Sequence, residues 1–191
     1  MSNKLTEIAN LILGFTFREA LIQNPHGNAR VFQAKNIGNN INDINLNNLI
    51  RISFSGSYGN YFLKKNDIVI TLRGIGIGSF RAAVINDNIN DTVAASSVLI
   101  IRIINRSYLP EYVAAYLNST RCQKNILETV AGSYIPTISK KNIGEIKIPK
   151  LDQENQDLIV KLVDNLNQQS KICEKRIRLQ KNIANSIFEN L

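Results

Sequence analysis

The feature that most constrains this 191-residue chain is a C-terminal stretch, residues 152–190, that contains no glycine and no proline. Its apolar residues recur with the spacing of one helical face, at 159, 162, 163, 166, 173, 177, 183, 184 and 187, and the pattern continues to 191. A single helix of this length extends about 58 Å. Such a helix cannot enclose its own apolar face, so that face must pack on the preceding residues, on a partner, or on both. Gln169, Arg176 and Gln180 interrupt the stripe, which favours a helix that changes partners along its length.

Residues 1–150 have the pattern of a mixed α/β domain. Short runs rich in valine and isoleucine predict strands at 30–34, 67–72, 79–85, 96–104 and 145–148. Apolar spacing predicts a short helix near residues 4–11 and two consecutive helices from Pro110, the second ending at Gly132. We therefore predict two parts, an α/β domain over residues 1–150 and a helical arm over residues 151–191.

The formal net charge of +8 is distributed unevenly along the chain. Residues 1–150 contain 17 Lys and Arg against 9 Asp and Glu, whereas residues 151–191 contain six of each kind. A localised basic excess is typical of a nucleic-acid-binding surface. It is equally compatible with an ordinary soluble basic surface, so the charge alone leaves both interpretations open.

Signatures of catalysis and of metal binding are missing from the sequence. The single histidine, His26, lies in a turn-like stretch, and Cys122 and Cys173 do not have the spacing of metal ligands. The chain has no Walker A sequence and no Asn-Pro-Pro-Tyr methyltransferase motif. We therefore expect a protein that is not an enzyme and uses no metal or cofactor, with a small nuclease as the remaining enzymatic alternative. The sequence also lacks an export signal and an apolar run long enough to span a bilayer, which favours a cytoplasmic location.

Glycine occupies every second position in part of residues 72–80, LRGIGIGSF. A dinucleotide-binding fingerprint needs a helix directly after its glycines, but the run that follows has a strand pattern. We interpret the stretch as a strand–bend–strand unit. Its flanking residues, Arg73 and Arg81, have guanidinium groups suited to a base edge or to phosphates; the alternative is that they only increase solubility.

Two further loops, residues 51–65 and 132–141, combine hydroxyl side chains with lysine or arginine. Loops that read DNA sequence need this combination, although an ordinary turn-rich loop has a similar composition. The residues that we predict to contact DNA are Lys35, Arg51, Ser55, Tyr58, Lys64, Lys65, Arg73, Arg81, Ser133, Tyr134, Thr137, Lys140 and Lys141.

Short motifs along the chain appear in a recognisable order: LTEIANLILGFTF, VFQAKNI, LKKNDIVITLRGIGIG, VAASSVLIIRI, LPEYVAAYLNST and AGSYIPTISKKNIGEIKIPKLDQENQ. In this order they resemble one half of a specificity (S) subunit of type I restriction–modification systems. Gln156 falls at the glutamine that commonly starts the long helix of that family. Asn66 stands where the family often has glycine, and Lys150 interrupts the usual proline-rich approach to the helix.

The resemblance implies a mixed α+β target recognition domain that reads one half of a split site in double-stranded DNA, followed by a spacer helix. Complete S subunits carry two such domains and two antiparallel helices. The resemblance therefore implies either that two copies of this chain form a homodimer through an antiparallel coiled coil, or that the chain is a truncated or split product. The residues that we expect at the helix interface are Leu166, Cys173, Ile177, Ile183 and Ile187.

The same resemblance assigns adenine methylation and restriction to partner subunits. Methyltransferase subunits would dock on the helix region and would in turn bind the restriction subunit. The alternative function is a protein-interaction adaptor or inhibitor of such a complex that keeps the fold without reading DNA.

Overall fold

Strands dominate the first hundred residues of the computed structural model, which describes residues 1–54, 59–130 and 136–189. The described strands are β1 (Ser2–Lys4), β2 (Ala9–Leu13), β3 (Ala29–Phe32), β4 (Ile50–Ile52), β5 (Ile68–Thr71), β6 (Ala82–Val84), β7 (Thr92–Ala94), β8 (Val98–Ile103) and β9 (Lys147–Pro149). The described helices are α1 (Leu5–Ile8), α2 (Pro110–Asn118), α3 (Thr120–Thr129), α4 (Lys140–Gly144) and α5 (Gln153–Glu189).

The strands form three sheets. The largest is antiparallel and has the order β2-β8-β5-β6. A second sheet has the order β4-β3-β7, in which β3 pairs with β7 in parallel and with β4 in antiparallel fashion. In the third, β1 pairs with β9 and so joins the two ends of the domain.

Alternate residues of the central strands contribute to two different cores. Ile68 and Ile70 of β5 belong to a core shared with the helices, whereas Val69 belongs to a core with Phe32 and Leu63. Successive side chains of a strand point to opposite faces, so a strand buried on both faces needs apolar residues throughout. This two-sided burial explains the continuous apolar run that predicted β5 from sequence.

Most predicted elements are present, but the helix predicted near residues 4–11 is shorter than expected and covers only Leu5–Ile8. The chain forms β1, a single helical turn at α1, and then β2. Residues 9–13 pair in register with residues 103–99 of β8. This pairing overrides the local apolar spacing, because local helix preference is weak compared with tertiary interactions. The predicted helix end at Gly132 lies outside the described residues.

The base of α5 is fixed to the domain, and the rest of the helix is exposed. Asp152 caps the helix, since its Oδ1 accepts a hydrogen bond from the Asn155 N–H at 2.8 Å. Three half-buried residues near the base pack against the core that β5 shares with the helices: Ile159, Val160 and Val163. From 168 to 188 every side chain is exposed.

Candidate nucleic-acid interface

Buried Gln123 of α3 supports the glycine-rich bend between β5 and β6. Its Oε1 accepts hydrogen bonds from the backbone N–H groups of Gly78 at 3.1 Å and Phe80 at 3.3 Å. Its Nε2 donates to the carbonyl oxygens of Phe80 and Leu117, each at 2.8 Å. The bend is therefore attached to a helix through main-chain atoms. The sequence analysis did not predict Gln123. The signal that could have found it is a single amide side chain beside the apolar residues of the α3 face.

The same bend lies beside one of the two predicted reading loops. Arg73 and Thr137 form an isolated antiparallel bridge. On either side of it, the Gly74 N–H donates to the Pro136 carbonyl at 3.2 Å and the Ile138 N–H donates to the Leu72 carbonyl at 2.9 Å. Exposed Arg73 and Thr137, which are 64 positions apart in sequence, thus belong to one surface.

Lysines from the start of α4 line a groove beside β2. The groove has a volume of about 490 Å³, and its lining includes Lys140, Lys141, Arg102, Asn10 and Asn60. Asn10 and Arg102 are register partners in β2 and β8, so their side chains share one face of the sheet. Amide groups next to basic side chains suit phosphate and base-edge contacts. Arg102 and the two asparagines were not predicted; the signal for Arg102 was a charge within the apolar run of β8.

A partly buried ion pair connects this groove to the turn that carries Lys64 and Lys65. Arg102 binds Asp67 through two hydrogen bonds of 2.7 Å. Burial lowers the pKa of Arg102, but the hydrogen bond and the charge of Asp67 outweigh it and raise the pKa above its ordinary value. The two lysines are exposed. Asn66, between them and Asp67, has φ of 71°, a conformation that asparagine and glycine adopt most easily, which explains why asparagine can replace the family's usual glycine.

The guanidinium of Arg51 is already engaged within the protein. It lies 3.5 Å from Asp91 Oδ2 and donates to the Gly27 carbonyl at 3.0 Å. Arg30 binds the same carboxylate more closely, at 2.6 Å. Burial raises the pKa of Asp91, but the hydrogen bonds of Arg30 and Thr92 together with the charges of Arg30 and Arg51 outweigh it and hold the pKa below its ordinary value. Because this carboxylate neutralises part of its charge, Arg51 is a weaker candidate for DNA contact than Arg73.

The remaining predicted DNA contacts occupy separate places. Lys35 is exposed on a short 3-10 turn, residues 34–36. Half-buried Arg81 lies at the end of the bend, and its side chain donates to the Asn39 side chain at 3.4 Å. Four predicted residues lie outside the described ranges: Ser55, Tyr58, Ser133 and Tyr134.

The five residues predicted for the helix interface are all exposed on α5: Leu166, Cys173, Ile177, Ile183 and Ile187. Leu158, Leu162, Ile172 and Leu179 are exposed on the same helix. Among residues 1–54, 59–130 and 136–189, no three metal-ligating side chains are grouped so that they could hold an ion. Nor is any helix in the described part of the chain long and apolar enough to cross a membrane.

The sequence model of the type I restriction modification DNA specificity domain matches residues 1–181. The chain belongs to this family. Membership confirms the resemblance seen in the motifs, and it does not favour an adaptor that has lost DNA reading, because the family is described by its DNA specificity. No curated protein matches the sequence.

Solved structures show the same fold at low sequence identity. The HsdS subunit from Thermoanaerobacter tengcongensis superimposes with a TM-score of 0.65 at 18% identity, over 92% of this chain and 39% of that one. The S subunit from M. genitalium gives 0.55 at 17% identity, over 94% and 42%. A structure on complex assembly of the type I R-M system gives 0.63 at 17% identity, over 92% and 40%. The chain therefore spans about two fifths of these matched chains.

Proposed function

We propose that residues 1–150 read one half of a bipartite site in double-stranded DNA without catalysing a reaction. The observation that carries this proposal is the family match over residues 1–181. Two features of the domain support it. The excess positive charge lies in this part of the chain, and the bridge between Arg73 and Thr137 brings two candidate reading loops together.

The second part of the proposal is that residues 151–191 form a spacer and docking arm, through which two copies of the chain pair in antiparallel orientation. Support comes from the exposed apolar residues that continue along α5 beyond the domain. The charge along the arm supports the orientation. Residues 152–164 contain four acidic residues and one lysine, whereas residues 171–181 contain five basic residues and one glutamate. An antiparallel partner places the acidic segment of one helix beside the basic segment of the other, and a parallel partner places like charges together.

Methyltransferase subunits are the proposed enzymatic partners, and they would bring the restriction subunit to the complex. In this arrangement the chain selects the site and the partner methylates adenine there. A twofold arrangement of two identical domains reads an inverted repeat, because the symmetry of the protein is mirrored in the DNA. The gap between the half-sites is then fixed by the helical arms.

Selection of binding sequences from a pool of random duplexes tests the DNA-reading part. We expect the selected duplexes to share an inverted repeat with a constant gap, and binding to weaken steeply with salt because phosphate contacts release counterions. Binding that ignores sequence would contradict the proposal. Arg73→Ala should change the selected sequence at one position. Lys161→Ala is the matched control, because it removes one exposed positive charge outside both the domain and the basic segment of the arm, and it should leave the selected sequence unchanged.

Addition of purified methyltransferase subunits of a type I system tests the partner assignment. We expect adenine methylation of the selected duplex only when this chain and the methyltransferase are both present. Light scattering of the chain alone should give the mass of a dimer. A monomeric mass at micromolar concentration would contradict the pairing and leave the DNA-reading part standing.

A further inference from the structure

Two isoleucines form an exposed apolar tip on the glycine-rich bend. Ile75 is 81% exposed and Ile77 is 57% exposed. The next large residue, Phe80, is fully buried in the core below. The bend therefore carries two exposed apolar side chains at its tip, and buried Phe80 anchors it in the core.

The backbone that carries these side chains is rich in glycine and is held by a hydrogen bond across the bend. A Cβ on Gly74 would lie 2.0 Å from the Cβ of Ser79, so only glycine fits there. Gly76 and Gly78 have φ of 151° and 84°, conformations that glycine adopts readily. Across the bend, the Ser79 hydroxyl donates to the Gly76 carbonyl at 2.6 Å. Glycine on both sides of each isoleucine means that no other side chain is added to the tip between positions 74 and 78.

Positive charge flanks this apolar tip. Arg73 and Arg81 stand at the two ends of the bend. Arg73 is exposed, and its backbone is bridged to Thr137. An apolar tip flanked by cations is suited to an anionic partner that also offers an apolar interior, and stacked base pairs between phosphate chains have this character.

We propose that Ile75 and Ile77 act as a wedge that enters the minor groove of bound duplex DNA and partly unstacks one base step. This inference rests on the proposed DNA-reading function and adds a mode of contact to it. The minor groove is about 6 Å wide, and proteins that distort DNA insert aliphatic side chains of this kind between base steps. The hydrogen bonds of Gln123 to Gly78 and Phe80 hold the C-terminal side of the bend, which limits the ordering needed on binding.

The test uses the full chain and the duplex obtained by the selection described above. 2-Aminopurine replaces one base at a time along the site, because its fluorescence rises when its stacking is lost. We expect wild-type protein to raise the fluorescence several-fold at one step in each half-site. The double variant Ile75→Ser with Ile77→Ser should abolish that rise and weaken binding by about tenfold, since a wedge exchanges stacking for protein contact.

Matched variants separate the wedge from general effects on folding. Ile104→Ser is the control, because Ile104 is 56% exposed and lies outside the bend; it should leave both signals unchanged. Replacing both tip residues by leucine should retain the rise. Unfolding temperatures of all variants should agree within a few degrees, because none of the replaced side chains is buried.

Each outcome has a distinct meaning. Sequence-specific binding without a fluorescence rise at any step overturns the wedge and leaves the proposed function intact. A rise that persists in the double serine variant also overturns the wedge. If that variant instead loses only its capture of methyltransferase subunits, the tip is a protein-docking surface and the inference is wrong. If wild-type protein shows no sequence preference, the proposed function fails, and the inference fails with it.

Discussion

Gln156 provides the sharpest test of how the helical arm is attached to the domain. Its side chain is fully buried, and it makes three hydrogen bonds to main-chain atoms. Oε1 accepts from the Leu109 N–H at 2.9 Å, and Nε2 donates to the carbonyls of Ser107 at 2.8 Å and Leu151 at 2.9 Å. One amide thus links the start of α2 to the start of α5.

We predict that Gln156→Leu lowers the free energy of unfolding by about 3 kcal/mol. Leucine has a similar volume, so the loss comes from the three hydrogen bonds, at about 1 kcal/mol each. For a chain of this size about 1 kcal/mol shifts the melting temperature by 2–4 °C, which gives a decrease of about 6–12 °C. Thermal unfolding followed by circular dichroism measures it. Exposed Gln168 on the same helix is the control, and Gln168→Leu should change stability by less than about 0.5 kcal/mol.

Gln156→Glu adds a pH dependence to the same test. A neutral carboxyl group can still donate to one carbonyl, whereas a carboxylate would face the carbonyls of Ser107 and Leu151 without a proton. The pKa of this glutamate should therefore be raised in the folded state. Its stabilising contact is fully present below the unfolded value of about 4.3 and is lost as pH rises through the higher folded value. Equal melting temperatures of wild type and both variants at pH 4 and pH 8 would refute the role assigned to this amide.

Three further predictions concern the domain and the arm. Arg73→Ala should weaken binding of the selected duplex by about 1–3 kcal/mol and relax specificity at one position if it reads a base; an unchanged gel shift would exclude it from the interface. The double change Ile183→Asn with Ile187→Asn should shift the proposed dimer to a monomeric mass in light scattering without changing the melting of the domain, because both side chains are exposed; an unchanged mass would refute this placement. Asp91→Asn should cost about 1 kcal/mol at pH 7. Because the pKa of Asp91 is lowered, its stabilisation is complete above the unfolded value of about 3.9 and is lost as pH falls through the lower folded value. The difference in melting temperature should therefore shrink as pH falls below about 3.9, and a difference that stays constant over that range would count against the ion pair.

The long helix and the central strands were predictable because their signals are local. A long stretch with helical apolar spacing and no glycine or proline is compatible with few structures other than a helix. The apolar runs of β5 and β8 are too long for exposed loops. The N-terminal residues were misassigned because α1 is followed by an edge strand, and the register of Leu11 with Ile101 is set by residues 90 positions away. Periodicity contains no information on such a partner.

The candidate interface was predictable in composition but not in arrangement. The sequence indicated Arg73 and the loop after α3, yet only the fold shows that they are bridged. Conversely, Arg51 looked like a free cation, because its partner Asp91 lies 40 residues further along the chain. Buried amides such as Gln123 were missed, since their role depends on which main-chain groups lack other partners.

The support given by Gln123 has a consequence for how this protein can diversify. All four of its hydrogen bonds end on main-chain atoms, so none of them depends on the identity of the side chains at positions 75 and 77. Those two positions can therefore be mutated without dismantling the scaffold. Under the wedge proposal, a library confined to them should yield folded proteins that differ in the base step they favour, while Gln123 holds the same bend in each.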